Sequence, residues 1–191
     1  MKILRADKLS DAEWLNLFKV TYRLPGRDPR SWMLASRQQA PRCVTGRFET
    51  PDAVIIVAFH RPRAKLVVTR ECRVPLGGYE IGFPAGLIDP GETVLDATRR
   101  ELKEETGLDV TCFLSASPPL YSSAGMTDES FTLVTVECEG EPSDTALEAS
   151  EVIEVLFVSP AEAGRLCEDH SVKFDAKAWL VLSRFAATGK L

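Results

Sequence analysis

Three glutamates, Glu101, Glu104 and Glu105, lie close together in the sequence and have the chemistry of a metal site. An α-helix turns about 100° per residue, so the three carboxylates fall on one face of a helix, within roughly a 100° arc. Like charges this close repel each other and destabilise the helix. A hard divalent cation compensates for that repulsion, and Mg²⁺ suits carboxylates combined with substrate phosphates. The alternative is a solvated acidic face with Arg100 and Lys103 as local partners.

Glycines frame this predicted helix. Gly86 and Gly91 flank a turn that leads into it, and Gly107 follows its last turn as a C-cap glycine does. Arg100 is spaced to pair with Glu104 at i+4, although a surface ion pair of this kind contributes little stability. A set of apolar positions can hold the helix against a sheet while the acids face a cleft: Val94, Leu95, Ala97, Leu102 and Leu108.

Together with Glu92, these residues fill the pattern G-x5-E-x7-R-E-U-x-E-E-x-G-U from Gly86 to Leu108, where U is a bulky aliphatic residue. The pattern resembles the signature of the Nudix hydrolases. The resemblance implies that the three glutamates bind metal and that Arg100 orients a glutamate of the box. The box residues predicted to be catalytic are Arg100, Glu101 and Glu105.

The segment before this box resembles the ADP-sugar pyrophosphatase branch of the family. Residues 75–89 read P-L-G-G-Y-E-I-G-F-P-A-G-L-I-D, and residues 69–73 are similar to the (E/K)-Q-(Y/F)-R segment of that branch. By this resemblance Arg73 contacts a substrate phosphate, and the backbone carbonyl of Ala85 is a metal ligand. The alternative for Arg73 is a surface cation at a strand end.

One position departs from the branch. Many members have glutamate where this chain has Gly82, two residues before the proline. Glu80 lies two residues earlier and would point the same way on an extended strand. The role of that acid is either lost or shifted to Glu80, which belongs to the predicted substrate-binding residues.

Aromatic residues near the start of the chain resemble a base-binding arrangement. Trp14 and Trp32, with Arg37 after the second, match a spacing of the human-type ADP-sugar pyrophosphatase, in which two indoles sandwich adenine and the arginine helps to hold the ligand. An aromatic slot can grip the π-face of a base. The alternative is that both indoles are buried anchors. The same resemblance implies a homodimer in which each site borrows residues from the partner.

Two further segments carry predicted site residues. Residues 117–129 resemble the S-P-G-(F/M)-(S/T)-D-E loop of bacterial ADP-ribose pyrophosphatases, which adds Gly125 and Met126 to the substrate-binding set. Glu151 aligns with the catalytic glutamate of a mobile loop in the branch, and Glu148 is the reserve candidate. A base outside the box is expected because a carboxylate bound to Mg²⁺ is a weak proton acceptor. A solvated acidic loop is the alternative.

Composition limits the class of protein. The 191 residues carry a formal net charge of −5, so nucleic acid is not an expected partner. No apolar run is long enough to span a bilayer, and the first residues lack the apolar core of a signal peptide. Five scattered cysteines without a CxxC pair argue against a disulfide framework or a zinc site and for reduced thiols in the cytoplasm.

The order of predicted elements favours an α/β fold. The chain is divided into an N-terminal β appendage, 1–48, for dimerisation and base binding, and a Nudix hydrolase domain, 49–191. Strands are predicted at 14–22, 31–38, 53–60, 65–72, 131–138 and 152–159, and helices at the box, from Ser159 and over 175–187. We expect an α/β/α sandwich with a mixed sheet.

These features predict an enzyme, a Nudix pyrophosphatase that uses Mg²⁺, with Mn²⁺ as an alternative. Its expected reaction is hydrolysis of the diphosphate of ADP-ribose or a related ADP-sugar to AMP and a sugar phosphate. Two alternatives stay open, namely action on another nucleoside diphosphate derivative and binding of ADP-ribose without turnover, as in a regulator.

Overall fold

The computed structural model describes residues 1–147 and 152–190 and divides the chain into two compact units. The first unit combines Met1–Ala53 with Pro118–Thr132, and the second combines Val54–Ser117 with Leu133–Leu191. The segment 118–132, which is remote in sequence from the N-terminal residues, therefore belongs with them.

The first unit contains a three-stranded antiparallel sheet in the order β1-β2-β3, formed by Lys2–Lys8, Asn16–Arg23 and Arg30–Ser36. Alternate residues of β2, Phe18 and Val20, are buried, as expected when one face of a strand is covered. A short helix, α1 (Arg42–Thr45), follows. The Arg42 guanidinium is buried and lies 2.8 Å from the carboxylate of Asp52.

The second unit holds most of an eight-stranded sheet with the central order β11-β5-β4-β10-β8, while β6, β7 and β9 pair with β5, β4 and β10. The strands are β4 (Ala53–His60), β5 (Lys65–Arg73), β6 (Gly78–Gly82), β7 (Ala85–Leu87), β8 (Asp109–Ala116), β9 (Leu120–Tyr121), β10 (Ser130–Glu139) and β11 (Ile153–Val158). Its helices are α2 (Val94–Thr106), α3 (Pro160–Glu168) and α4 (Ala176–Thr188).

Helices cover this sheet on both faces. Val67 of β5 packs in one apolar cluster with Ala97 and Leu102 of α2. Its neighbour Val68 packs in another cluster with Leu182 of α4. Because successive side chains of a strand point to opposite faces, α2 lies on one face of the sheet, and α3 and α4 lie on the other. The expected α/β/α arrangement is confirmed.

Local capping fixes where the helices begin. Thr93 and Asp96 form a capping box at the start of α2, and Ser159 and Glu162 form one at the start of α3. Each box satisfies backbone N–H groups that have no partner within the helix. The capping box therefore fixes the residue at which α2 begins.

Most predicted elements have the expected type, with ends within about two residues of the prediction. Strands β1 and β6 to β9 were not predicted. Leu95 of α2 was expected to face inward and is exposed instead, because it lies on the solvent side of the helix. Across the described residues, every helix is too short or too polar to cross a membrane, and all five cysteines are free.

Candidate active site

Strand β7 lies directly against two glutamates of α2. The backbone N–H of Ala85 donates to Oε2 of Glu105 at 3.0 Å. A β-carbon built on Gly86 would lie 1.9 Å from the carboxyl carbon of Glu101, so only glycine leaves room for this carboxylate. These contacts bring together Ala85, Glu101 and Glu105, three of the predicted metal ligands.

Arg100 joins the remaining acids of the box. Its Nε and one terminal nitrogen donate to the two oxygens of Glu92, each at 2.8 Å, and its other terminal nitrogen donates to Glu101 at 2.8 Å and Glu104 at 3.1 Å. The predicted i+4 pair of Arg100 and Glu104 is therefore present. A further hydrogen bond runs from Arg100 to the carbonyl of Leu87 at 2.9 Å.

These contacts shift the titration of both partners. Hydrogen bonds from Arg100, followed by that from the backbone of Asp89, lower the pKa of Glu92 to about 2. Glu92 and, to a smaller extent, the other two carboxylates raise the pKa of Arg100. Arg100 is thus a permanent cation that fixes the positions of three acidic side chains.

The donor set fits a hard divalent cation. Glu101 and Glu105 are largely buried, with exposed fractions of 9% and 6%. Burial of carboxylates is costly unless a cation or hydrogen-bond donors compensate. In the described part of the chain, no three acidic, histidine or cysteine side chains are grouped closely enough to bind a metal ion as they stand. Glu101 and Glu104 form ion pairs with Arg100 instead. A cation held by carboxylate oxygens and the Ala85 carbonyl is consistent with this chemistry.

A cavity of about 320 Å³ adjoins Glu105. Its walls include Ser143 and Asp144 on one side of the segment 148–151 and Ile153 and Val155 on the other. The predicted base Glu151 and its reserve Glu148 lie outside the described residues. The cavity beside Glu105 is therefore bordered by residues that precede and residues that follow this segment in the sequence.

Ser143, which lines this cavity, is held by the end of α2. The backbone N–H of Ser143 donates to the carbonyl of Thr106 at 3.0 Å. Gly107 has a φ of +76°, and a β-carbon there would lie 2.5 Å from the nitrogen of Ser143. Gly107 is thus required both by its left-handed conformation and by this close approach.

Arg73, at the end of β5, lies between two glutamates. Its guanidinium is 2.8 Å from Glu71 and 3.6 Å from Glu80. Glu80, which the sequence offered as a replacement for the acid missing at Gly82, is thus a partner of Arg73. Glu71 was missed at the sequence level because its role depends on pairing between β5 and β6.

In the first unit, β3 and the loop 122–129 bring four predicted residues together. The indole Nε1 of Trp32 donates to the carbonyl of Gly125 at 3.2 Å, and the carbonyl of Met126 accepts from the backbone of Ala35. Arg37 forms an ion pair with Glu129 at 2.7 Å. Trp14 lies in a bend before β2.

The two tryptophans are not buried anchors. Trp14 is 67% exposed and Trp32 is 50% exposed. Trp32 borders an apolar cavity of about 290 Å³ together with Phe48 and Tyr121. Both indoles are therefore available to a ligand or to a second chain, and the interpretation as anchors is wrong.

Comparison with known proteins identifies the family. The family model for the NUDIX domain matches residues 49–180. The chain therefore belongs to the Nudix family, and it is a Nudix hydrolase. Both the predicted family and the predicted class of enzyme are confirmed.

Individual relatives extend this comparison. The chain is 33% identical over 178 residues to the ADP-ribose pyrophosphatase of Saccharomyces cerevisiae, covering 88% of this chain and 75% of the relative. It is 28% identical over 136 residues to the ADP-sugar pyrophosphatase of Mus musculus, covering 70% of this chain and 59% of that protein. A crystal structure of an ADP compounds hydrolase matches with a TM-score of 0.72 at 24% identity, covering 100% of this chain and 96% of the other. That likeness confirms the Nudix fold.

Proposed function

We propose that this hydrolase cleaves the diphosphate of ADP-ribose, or of a related ADP-sugar, to AMP and a sugar phosphate in a Mg²⁺-dependent reaction. The observation that carries the proposal is the packing of β7 against Glu101 and Glu105, with Arg100 holding the adjoining acids. The relatives from yeast and mouse, named for ADP-ribose and ADP-sugars, support this choice of substrate.

The cation would be held by the carbonyl of Ala85 and the carboxylates of Glu101, Glu104 and Glu105. When bound, Mg²⁺ or Mn²⁺ supplies a Lewis acid for the phosphate oxygens and makes a bound water more acidic. Arg100 keeps the carboxylates in place, and the hydrogen bond from Ala85 orients Glu105.

We propose Glu151 as the general base, with Glu148 in reserve. Water attacks one phosphorus, the bond from that phosphorus to the bridging oxygen breaks, and the base takes the proton of the water. The cavity beside Glu105, bordered by Asp144 and Ile153, supports this role because residues on both flanks of Glu151 reach it.

Substrate recognition is assigned to residues in each unit. In the second unit, Arg73 would contact a phosphate, since a guanidinium suits phosphate oxygens. In the first, Trp14 and Trp32 would contact the base, with Arg37, Gly125 and Met126 contributing to the same recognition surface. The exposure of both indoles supports this assignment.

We propose that the chain acts as a homodimer in the cytoplasm, with the N-terminal residues 1–48 as the dimerisation and base-binding part. In the antiparallel pairing of β2 with β3, Trp32 lies opposite Val20. Val20 is four residues after Asn16, the first residue of β2, and Trp14 lies before Asn16. Four residues of a strand span roughly 13 Å, more than a stacked base fills, so two indoles around one base are better supplied by two chains. The free cysteines support a reducing compartment.

The test is release of AMP from ADP-ribose, followed by nucleotide chromatography, with and without Mg²⁺. Wild-type protein should release AMP only with the cation, and Glu105→Gln should reduce kcat by about 100-fold or more. Glu168→Gln, an exposed change on α3, is the matched control and should keep full activity. No release by wild type, or full turnover by Glu105→Gln, would contradict the proposal.

A panel of other nucleoside diphosphate sugars, oxidised nucleoside diphosphates and dinucleotides, assayed alongside, separates the alternative substrates. Binding of ADP-ribose with no product formed would instead favour a regulator.

A further inference from the structure

Arg73, Glu71 and Glu80 form an ion-pair group at the end of β5 and the start of β6, here called the Arg73 group. Glu71 and Glu80 are direct partners in the antiparallel ladder of these strands. Side chains at directly paired positions lie about 5 Å apart at their β-carbons. The Glu71 and Glu80 side chains are each only 17% exposed, while that of Arg73 is 45% exposed. The carboxylates are therefore held in fixed positions around a more accessible guanidinium.

The Arg73 group lies on the same face of the sheet as the box helix. Val67 of β5 packs with α2, and alternation along the strand places Glu71 and Arg73 on that face. Ile81 of β6 packs in the cluster of α3 and α4, so its neighbours Glu80 and Gly82 also face the side of α2. The group and the metal-binding acids therefore share one surface.

Gly82 keeps this surface open beside the group. Within the described part of the chain, a β-carbon at Gly82 would come within 4 Å of the Thr69 hydroxyl alone, at an ordinary contact distance of 3.7 Å. Among the residues that the structure describes, a β-carbon at position 82 would thus be accommodated, and Gly82 leaves that volume unfilled two residues from Glu80.

The charges of the group distinguish two kinds of phosphate. Two carboxylates and one guanidinium carry a formal charge of −1. A phosphate esterified on both sides carries one negative charge, whereas a terminal phosphate carries nearly two at neutral pH. The extra charge is repelled by Glu71 and Glu80, and a sugar hydroxyl in the same place can donate hydrogen bonds to them.

We propose that Glu71 and Glu80 are specificity-determining residues, whose charges on either side of Arg73 select diphosphates capped by a sugar over those ending in a free phosphate. This inference rests on the proposed function and specifies how that site chooses among nucleoside diphosphates. Arg73 attracts the diphosphate, and the carboxylates of Glu71 and Glu80 weaken binding of a diphosphate that ends in a free phosphate.

ADP-ribose and ADP are the appropriate pair of ligands, because they differ only in the capping ribose. Their dissociation constants are measured by calorimetry at constant free Mg²⁺ on Glu105→Gln protein, so that neither ligand is consumed. The changes Glu71→Gln and Glu80→Gln are then added singly and together. Amide for carboxylate keeps size and an acceptor oxygen and removes only the charge.

Each change should improve binding of ADP relative to ADP-ribose by about threefold to tenfold, and the effect should shrink at high salt. Glu154→Gln is the control, because Glu154 pairs with Arg70 on the opposite face of β5 and should leave the ratio unchanged. An unchanged ratio, whether both constants move together or neither moves, overturns the inference. The first result would mean that the glutamates only position Arg73.

Turnover is scored separately. If the ratio of the two dissociation constants responds to the substitutions but wild-type protein releases no AMP, the proposed function fails while the selectivity stands. If wild-type protein releases AMP but the ratio responds to neither substitution, the selectivity fails while the proposed function stands.

Discussion

The carboxylate of Glu101 occupies the space that a side chain at Gly86 would need. A β-carbon at this position would lie 1.9 Å from both the carboxyl carbon and one carboxyl oxygen. The contact is set by the approach of β7 to α2, which also brings the backbone N–H of Ala85 to the buried carboxylate of Glu105. The glycine of the box is therefore a spatial requirement for the observed position of Glu101.

Gly86→Ala should displace Glu101 and reduce kcat/KM for ADP-ribose by about 100-fold, because small displacements of reacting groups have large effects on rate. Steady-state kinetics over a range of Mg²⁺ concentrations measures this. Gly164→Ala in α3 is the matched control, since its β-carbon would meet Ala186 at an ordinary 3.7 Å. That control should keep activity and gain about 0.5–1 kcal/mol of stability. Equal activity of the two variants would contradict the steric argument.

Arg100→Lys should raise the Mg²⁺ concentration needed for half-maximal activity by about 10-fold to 100-fold. A lysine keeps the charge but cannot bridge Glu92, Glu101 and Glu104 at once, and residues that orient metal ligands affect metal affinity to this extent. The neighbouring change Arg99→Lys, on an arginine that stacks on Phe113, is the control. A normal metal requirement in Arg100→Lys protein would mean that Arg100 only stabilises the helix.

Trp32→Ala should raise KM for ADP-ribose by about 10-fold or more with a smaller effect on kcat, because stacking on a base contributes about 1–3 kcal/mol. Trp32→Phe should retain part of the affinity, since it keeps an aromatic face and loses the hydrogen bond to Gly125. Trp179→Ala, on an exposed indole of α4, controls for general effects. An unchanged KM in Trp32→Ala protein would remove this residue from base recognition.

The ion pair of Glu92 with Arg100 should make stability depend on pH in the acid range. Hydrogen bonds from Arg100 and from the Asp89 backbone lower the pKa of Glu92 from 4.5 to about 2. Since the folded-state pKa is the lower one, the pair stabilises the fold above pH 4.5, and this contribution is lost as the pH falls toward 2. The free energy of unfolding of wild type and Glu92→Gln, compared at several pH values in this window, should converge as pH decreases. A difference that stays constant across the window would contradict the linkage.

The chemistry of the box could be predicted from the sequence because its residues are close together in the chain. Helical periodicity places Glu101, Glu104 and Glu105 on one face without knowledge of the rest of the fold. The predicted pair of Arg100 and Glu104 depends only on i+4 spacing, and it is present at 3.1 Å. Strands β4 and β5 could also be predicted, because each is a largely apolar run that ends at turn residues.

Contacts between remote segments could not be predicted in this way. The partnership of Glu71 with Arg73 and Glu80 depends on the register of β5 against β6, which a single sequence does not specify. The buried pair of Arg42 with Asp52 was missed because composition gives no signal for a charge that becomes buried. Strand β7 was missed because it has only three residues, although it contacts the acids most closely.

The contact of Ser143 with Thr106 and Gly107 limits how the segment after Gly140 can be redesigned. Insertions between Gly140 and Ser143 would change the length of chain that leads to this attachment, whereas residues added between Asp144 and Leu147 lie beyond it. A chimaera in which this segment is replaced by that of another hydrolase must therefore also take residues 106, 107 and 143 from that hydrolase. Length variation is thus confined to the stretch downstream of that attachment point.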